Sequence, residues 1–358
     1  LFEWIMASPP RTTPSEETKP SSRTTGSVSR QVNRLTGVQV LATGRAAPER
    51  VIHNEELAKH GYDADWIVQR TGIKSRHCAE PGEATSDIAA KAAQRCLESA
   101  GLDASDVDLI LLSTITPDQP TPSTACHVQR IIGSTAPAMD LSAACAGFMY
   151  GMVTGMQFIA TGTYKHVLVI GAELMSRTVN PEDKKTFPLF GDGAGAVLLG
   201  AGSEDQGMLA YTLGADGCGA ELLQIPAGGT RKPTTTEMLE QNENFLIMDG
   251  RAVFKWAVRT LAESTRQVLD FCGHTIDDID IALFHQANVR ILDAAVENLG
   301  IDHDKVAVNL DRYGNTSSAS IPLVLDEACQ DGKIHRGDLV LMSGFGAGLA
   351  WGSAIIRW

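Results

Sequence analysis

The feature that most constrains this chain is a repeat. Gly101-Leu-Asp-Ala-Ser-Asp106-Val107-Asp108-Leu109-Ile-Leu-Leu112 aligns without a gap on Gly273-His-Thr-Ile-Asp-Asp278-Ile279-Asp280-Ile281-Ala-Leu-Phe284. Each copy follows a stretch of helical period, 88–100 and 253–272, and each ends in an apolar run of strand type. Met139-Asp140-Leu141 is echoed by Val308-Asn309-Leu310, and 166–171 by 338–343. A duplicated helix–strand alternation predicts an α/β protein of two related βαβαβ-type halves, residues 35–205 and 206–358, around one core. If the halves meet face to face, the turn carrying Cys145 and the turn carrying Tyr313-Gly-Asn315-Thr converge on one place.

Composition narrows the function classes. With 358 residues, 43% of them hydrophobic, the chain can bury a large core. A formal net charge of −13 argues against general nucleic-acid binding. The 7 cysteines form no C-x-x-C pair, which disfavours zinc and a disulfide framework and predicts a reducing compartment. No apolar run reaches spanning length without interruption, so no membrane segment is expected. Residues 1–34 are rich in Pro, Ser and Thr and lack apolar period, and read as a disordered extension. Its Arg and Ser/Thr content leaves a plastid transit peptide open beside a cytoplasmic location, although Glu16 and Glu17 argue against the former.

Short helices are expected after Asn54, read as a cap, and over 63–70, stopped by Gly72; Thr85-Ser86-Asp87 caps a longer one. Gly191, Gly193 and Gly195 resemble a nucleotide loop only superficially. They precede a strand and not a helix, and read as turn and packing glycines.

Three residues carry candidate chemistry. Cys145, in Asp140-Leu-Ser-Ala-Ala-Cys145-Ala-Gly-Phe, sits where an apolar strand turns into a helix. Backbone N–H groups and the helix dipole there favour a thiolate. Alone, it reads first as a small buried hydrophobe, which is what most free cysteines are. His285 directly follows the second repeat's strand, in His285-Gln-Ala-Asn288, where α/β folds commonly bind ligands. Asn315 lies in a Gly-Asn turn, whose usual role is local.

Taken together, these motifs resemble those of the β-ketoacyl-acyl-carrier-protein synthase III enzymes, of thiolase fold. Tyr313-Gly-Asn315-Thr-Ser-Ser-Ala-Ser, Phe190-Gly-Asp-Gly-Ala-Gly195 and Gly348-Leu-Ala-Trp351-Gly-Ser extend the match, which runs in order from about residue 36 to the end. The resemblance implies layers in the order α-β-α-β-α and an acyltransferase that starts type II fatty-acid chains. Cys145 would take an acyl group from acyl-CoA, and decarboxylative Claisen condensation with malonyl-acyl carrier protein would release CoA, CO2 and a 3-oxoacyl-carrier. His285 and Asn315 would hold the enolate oxygen. The Cys145 N–H and one from the Gly346-Ala347-Gly348 loop would hold the acyl oxyanion, with Phe345 beside the sulfur.

The resemblance also implies that Trp66, Arg70 and Lys184 hold CoA, Lys184 standing where Arg is common. Gln286, Ala287, Asn288, Val289 and Arg290 would meet the carrier. No cofactor or metal is implied, since acyl-CoA and malonyl-carrier are substrates, and a homodimer is expected. Thr121 falls where a partner subunit's loop closes the acyl pocket; a small residue there predicts room for longer or branched primers. Arg251, Lys255 and Arg259 share one helix face and form either a solvated row or a docking patch for an acidic carrier. The alternatives are a priming or acyl-transfer enzyme of polyketide or secondary metabolism, and a non-catalytic acyl- or carrier-binding protein.

Overall fold

The structure is a computed structural model and describes residues 31–358. Ten strands make two five-stranded sheets: β1 Asn33–Thr36, β2 Val38–Ala46, β3 Leu109–Ser113, β4 Ala138–Leu141, β5 Val167–Leu174, β6 Asp192–Ala201, β7 Gly207–Ala215, β8 Ile281–Phe284, β9 Leu339–Gly346 and β10 Ala350–Arg357. One sheet has the order β2-β6-β5-β3-β4 and the other β1-β7-β10-β9-β8. The principal helices are α1 Ala64–Thr71, α2 Thr85–Ala100, α3 Thr124–Ile132, α4 Gly147–Ala160, α5 Gly250–Cys272, α6 Val289–Leu299 and α7 Ser320–Gln330.

The layering follows from which helices are buried all round. Phe148, Met149, Met152 and Met156 of α4 pack with Ile321, Val324 and Leu325 of α7 and with strands of both sheets. These two helices are therefore the middle layer, which explains why neither shows a solvated face. Amphipathic α2 and α3 cover the outer face of the first sheet. Helices α5 and α6 cover the outer face of the second. The expected α-β-α-β-α order results.

The repeat is a true structural duplication. Strand β3 pairs in parallel with β5, and β8 with β9 in the same way, with Leu109 opposite Val167 and Ile281 opposite Val340. That register moves the second echo one residue along from the sequence alignment: His166 corresponds to Leu339, whose carbonyls each accept from the aspartate ahead of the strand, Asp108 or Asp280. The counterpart of β4 is reduced to a single parallel bridge, Ala282 to Val306.

Three local expectations change. Strand β1 pairs with β7 from Asn33 onward, so folded structure begins inside the stretch 1–34 assigned to the extension; the expectation for residues 1–30 lies outside the described residues. Asn54 is not a helix cap. Its buried amide donates to Ile73 O (2.7 Å) and accepts from Arg76 (2.8 Å), and His53 takes the cap position instead. The turn equivalent to that of Cys145 lies slightly later than Asn315. Ala144 and Ser317 both have left-handed φ, +47° and +50°, each one residue into the short turn that opens a central helix. Cys145 thus corresponds to Ser318, and Asn315 stands just ahead of the turn.

Candidate active site

Asp140, at the end of β4, accepts from the N–H groups of Thr124 (2.7 Å) and Ala125 (2.8 Å), fixing the start of α3. The chain then turns through Ala144 and places Cys145 in the single turn before α4. A left-handed alanine costs on the order of 1 kcal/mol, which the packed seam must offset. Cys145 is buried, and burial pushes its thiol up to about 12. Desolvation therefore outweighs the helix end, and the resting group is a thiol, not the thiolate expected from its position.

His285 leaves β8 with its N–H donating to Ser343 O (2.9 Å). Its Nδ1 lies 2.6 Å from the Ser320 hydroxyl, whose oxygen is 3.4 Å from the Gln286 N–H. This pairing suits a neutral ring whose Nδ1 accepts from the hydroxyl and whose proton sits on Nε2. Burial lowers His285 to about 3, so the ring is neutral at physiological pH. Phe345 meets it edge-on, with centroids 5.2 Å apart.

Asn315 is anchored to the first half. Its N–H donates to Leu189 O (2.8 Å) and its carbonyl accepts from Gly191 (3.1 Å). A Cβ on Gly191 would lie 2.2 Å from Tyr313 O, so glycine is required for this approach. Gly193 and Gly195 likewise lie against Thr316, Pro322 and Leu323, as packing glycines. The Asn315 Oδ1 accepts from Ser317 N–H (2.9 Å), which leaves the amide Nδ2 as the donor for the cavity.

These side chains share one cavity of about 760 Å³, lined by Cys145, His285, Asn315, Phe345 and Gly346 at depth and by Trp66, Arg70, Lys184, Arg251, Phe254, Lys255 and Arg290 among others. A Cβ on Gly346 would lie 2.6 Å from the Cys145 nitrogen. The end of β9 and the turn carrying Cys145 are thus in backbone contact. Gly346, and not Ala347, is the loop residue that lines the cavity. Trp66 is 38% exposed, with the Arg70 guanidinium 5.8 Å from its ring centroid, a half-open stacking platform.

Of the residues expected to meet a carrier, Ala287, Asn288 and Arg290 line the cavity. Gln286 does not: it is buried, and its amide donates to Phe284 O (2.8 Å) and accepts from Asn309 N (3.3 Å). Val289 packs on Gly72 and ties α6 to α1. Arg259 lies off the cavity, 4.0 Å from Glu263, so the row Arg251–Lys255–Arg259 contributes only its first two members. Thr121 is exposed and outside the cavity. Sequence reasoning missed Ser320 altogether; its place five residues after Asn315 signals nothing until the fold sets it beneath the imidazole.

Comparison with known proteins identifies the family. The family model for 3-oxoacyl-[acyl-carrier-protein] synthase III matches residues 139–217, and the model of its C-terminal region matches 269–358. The chain is 55% identical over 345 residues to β-ketoacyl-[acyl-carrier-protein] synthase III of Rhodopirellula baltica, covering 91% of this chain and 100% of that protein. The chain belongs to the β-ketoacyl-acyl-carrier-protein synthase III family.

Solved synthase III structures superpose well on it. That of Aquifex aeolicus gives a TM-score of 0.84 at 42% identity, over 90% of this chain and 100% of that one. A priming β-ketosynthase from the R1128 polyketide pathway gives 0.83 at 34% identity, over 92% and 98%. The synthase III fold is therefore shown over the residues these structures cover, and Cys145 of one half lines the same cavity as His285 and Asn315 of the other.

Proposed function

We propose that this protein joins an acyl-CoA primer to malonyl-acyl carrier protein by decarboxylative Claisen condensation, the reaction that starts type II fatty-acid chains. One observation carries the residue assignment: Cys145 of the first half opens into the same cavity as His285 and Asn315 of the second. In the first step the Cys145 sulfur attacks the acyl thioester and CoA leaves. The N–H of Cys145 and one from the Gly346-Ala347-Gly348 loop would hold the developing oxyanion. In the second step the malonyl thioester oxygen sits between His285 Nε2–H and Asn315 Nδ2–H. Neutral donors aimed at that oxygen stabilise the enolate as CO2 departs, and the enolate carbon attacks the acyl-enzyme.

The rim suits the two carriers of acyl groups. Trp66 offers a face for an adenine, and Arg70 and Lys184 offer charge for phosphates. Arg251, Lys255 and Arg290 give an acidic carrier protein a cationic approach on a chain of net charge −13. Strand β4 is a sheet edge carrying exposed Met139, which suits pairing with a second copy and supports the homodimer. Thr121 would close the partner's acyl pocket, and its small size favours longer or branched primers. No described helix is long and apolar enough to cross a membrane. A cytoplasmic site is part of this reading, and the bacterial relatives give the plastid alternative no support.

The likeness to the R1128 priming enzyme favours one second reading, priming of a polyketide pathway. The test is turnover with malonyl-acyl carrier protein across straight and branched acyl-CoAs. Efficient use of short primers supports chain initiation. Medium-chain primers alone favour the second reading, and turnover of acetyl-CoA alone overturns the Thr121 assignment.

A further inference from the structure

The turn that opens α7 mirrors the turn carrying Cys145, but a different side chain meets it. In the register of the duplication Ser318 corresponds to Cys145, and Glu173, near the end of β5, corresponds to Gly346. Gly346 leaves the space beside Cys145 open to the cavity. At the mirrored place the chain carries a carboxylate, which the two-step reaction leaves without a role.

Glu173 has no solvent exposure, and no lysine or arginine pairs with it among the described residues. Burying a lone carboxylate is costly, and hydrogen bonds must replace the lost water. Its Oε2 accepts from the N–H groups of Ile115 (3.0 Å) and Thr116 (3.1 Å) and from the hydroxyls of Thr114 (3.1 Å) and Thr116 (2.8 Å). Those bonds tie it to the loop after β3, within the first half. Its Oε1 instead crosses the seam and accepts from the hydroxyls of Ser317 (3.1 Å) and Ser318 (2.9 Å).

Ser317 is where this contact reaches the site. Its φ of +50° is left-handed, a conformation that a non-glycine residue keeps only when its surroundings hold it. Its N–H donates to Asn315 Oδ1 (2.9 Å). A carboxamide can turn over and exchange its nitrogen and oxygen, and an oxygen facing the cavity would repel an enolate in place of stabilising it. An N–H held at Oδ1 opposes that turn. Ser317 thus fixes the Asn315 amide through its backbone and is itself fixed by Glu173 through its hydroxyl.

We propose that Glu173 is a positioning residue for condensation: through the Ser317 hydroxyl it holds the turn whose N–H keeps the Asn315 amide nitrogen facing the cavity. This rests on the reading of Asn315 as an enolate donor. Glu173 does not line the cavity and acts through Ser317 alone. Glu173→Gln keeps the shape of the side chain. With its oxygen on the N–H groups of Ile115 and Thr116, it turns an amide donor toward the Ser317 hydroxyl, which then loses its acceptor. Ser317→Ala removes the same bond from the other side.

The test separates the half-reactions. Acyl-enzyme formation from acetyl-CoA and its discharge by malonyl-acyl carrier protein are each timed by rapid quench and intact mass. Both variants, checked for folding by circular dichroism, are expected to acylate at the wild-type rate and to discharge roughly tenfold more slowly, less than the 10²–10³ of a lost donor. In an Asn315→Ala background the same substitutions are expected to cost nothing further, because residues of one network are not additive. Unchanged discharge, an equal loss in both half-reactions, or the full tenfold loss repeated in the Asn315→Ala background overturns the proposal. Should Glu173→Gln fail to fold, Ser317→Ala carries the same comparison. Wild-type discharge in Asn315→Ala by itself removes the reading of Asn315, and is seen in that single variant.

Discussion

The Ser320 hydroxyl lies 2.6 Å from Nδ1 of His285, at the first residue of the central helix that follows Asn315. One side chain therefore sets which imidazole nitrogen faces the substrate. Ser320→Ala frees the ring to adopt the other tautomer. Condensation is expected to fall by roughly tenfold, less than the 10²–10³ lost with a whole donor. Acylation of Cys145 should hold its rate. Stopped-flow measurement of each half-reaction separates the two, and an equal loss in both would mean that Ser320 serves folding only.

In the proposed mechanism Asn315 acts in the second step alone. Asn315→Ala removes one enolate donor and should slow condensation by about 10²–10³ while acyl-enzyme still forms. The readout is persistence of the acyl-enzyme after malonyl-carrier is added. Rapid discharge in the variant would remove Asn315 from the mechanism.

Buried neutral His285 ties stability to acid. Its folded pKa of about 3 lies below the unfolded value near 6.5. Between those limits the unfolded chain binds the extra proton, so the group favours the folded state above pH 6.5 and loses that contribution as pH falls toward 3. Each unit of displacement is worth about 1.4 kcal/mol. Urea titrations of wild type and His285→Asn from pH 7 to 4 should show a flatter decline in the variant; identical slopes would contradict a neutral buried ring.

The cationic rim divides by position. Lys255 lines the cavity, whereas Arg259 faces Glu263. Lys255→Glu should raise the KM for malonyl-carrier several-fold at low salt, with the effect fading as salt screens it. Arg259→Glu should change it little. The reverse ranking would move the docking surface along α5.

Much of this was legible in the sequence because duplication is a pattern that periodicity exposes. The aligned segments ahead of Leu109 and Ile281 give the two halves, and apolar runs give the strands. Cys145, His285 and Asn315 each follow a recognisable strand or turn, and they do converge. What escaped was set by burial. The helix end at Cys145 suggested a thiolate, but desolvation dominates once the turn lies between two sheets. Gln286 belongs to an exposed-looking motif, yet its amide is consumed by Phe284, Ala307 and Asn309 inside the core. Ser320 gains meaning only once the fold sets its hydroxyl against His285, a contact that no sequence distance reports.

The most direct measurement follows the acyl group by intact-protein mass spectrometry, first with acetyl-CoA and then with malonyl-acyl carrier protein. The account predicts one acyl adduct, mapped by peptide to Cys145, absent in Cys145→Ala, discharged by malonyl-carrier in wild type and retained in a His285→Ala, Asn315→Ala double variant. An adduct on another residue, or one that the double variant discharges at the wild-type rate, would contradict it.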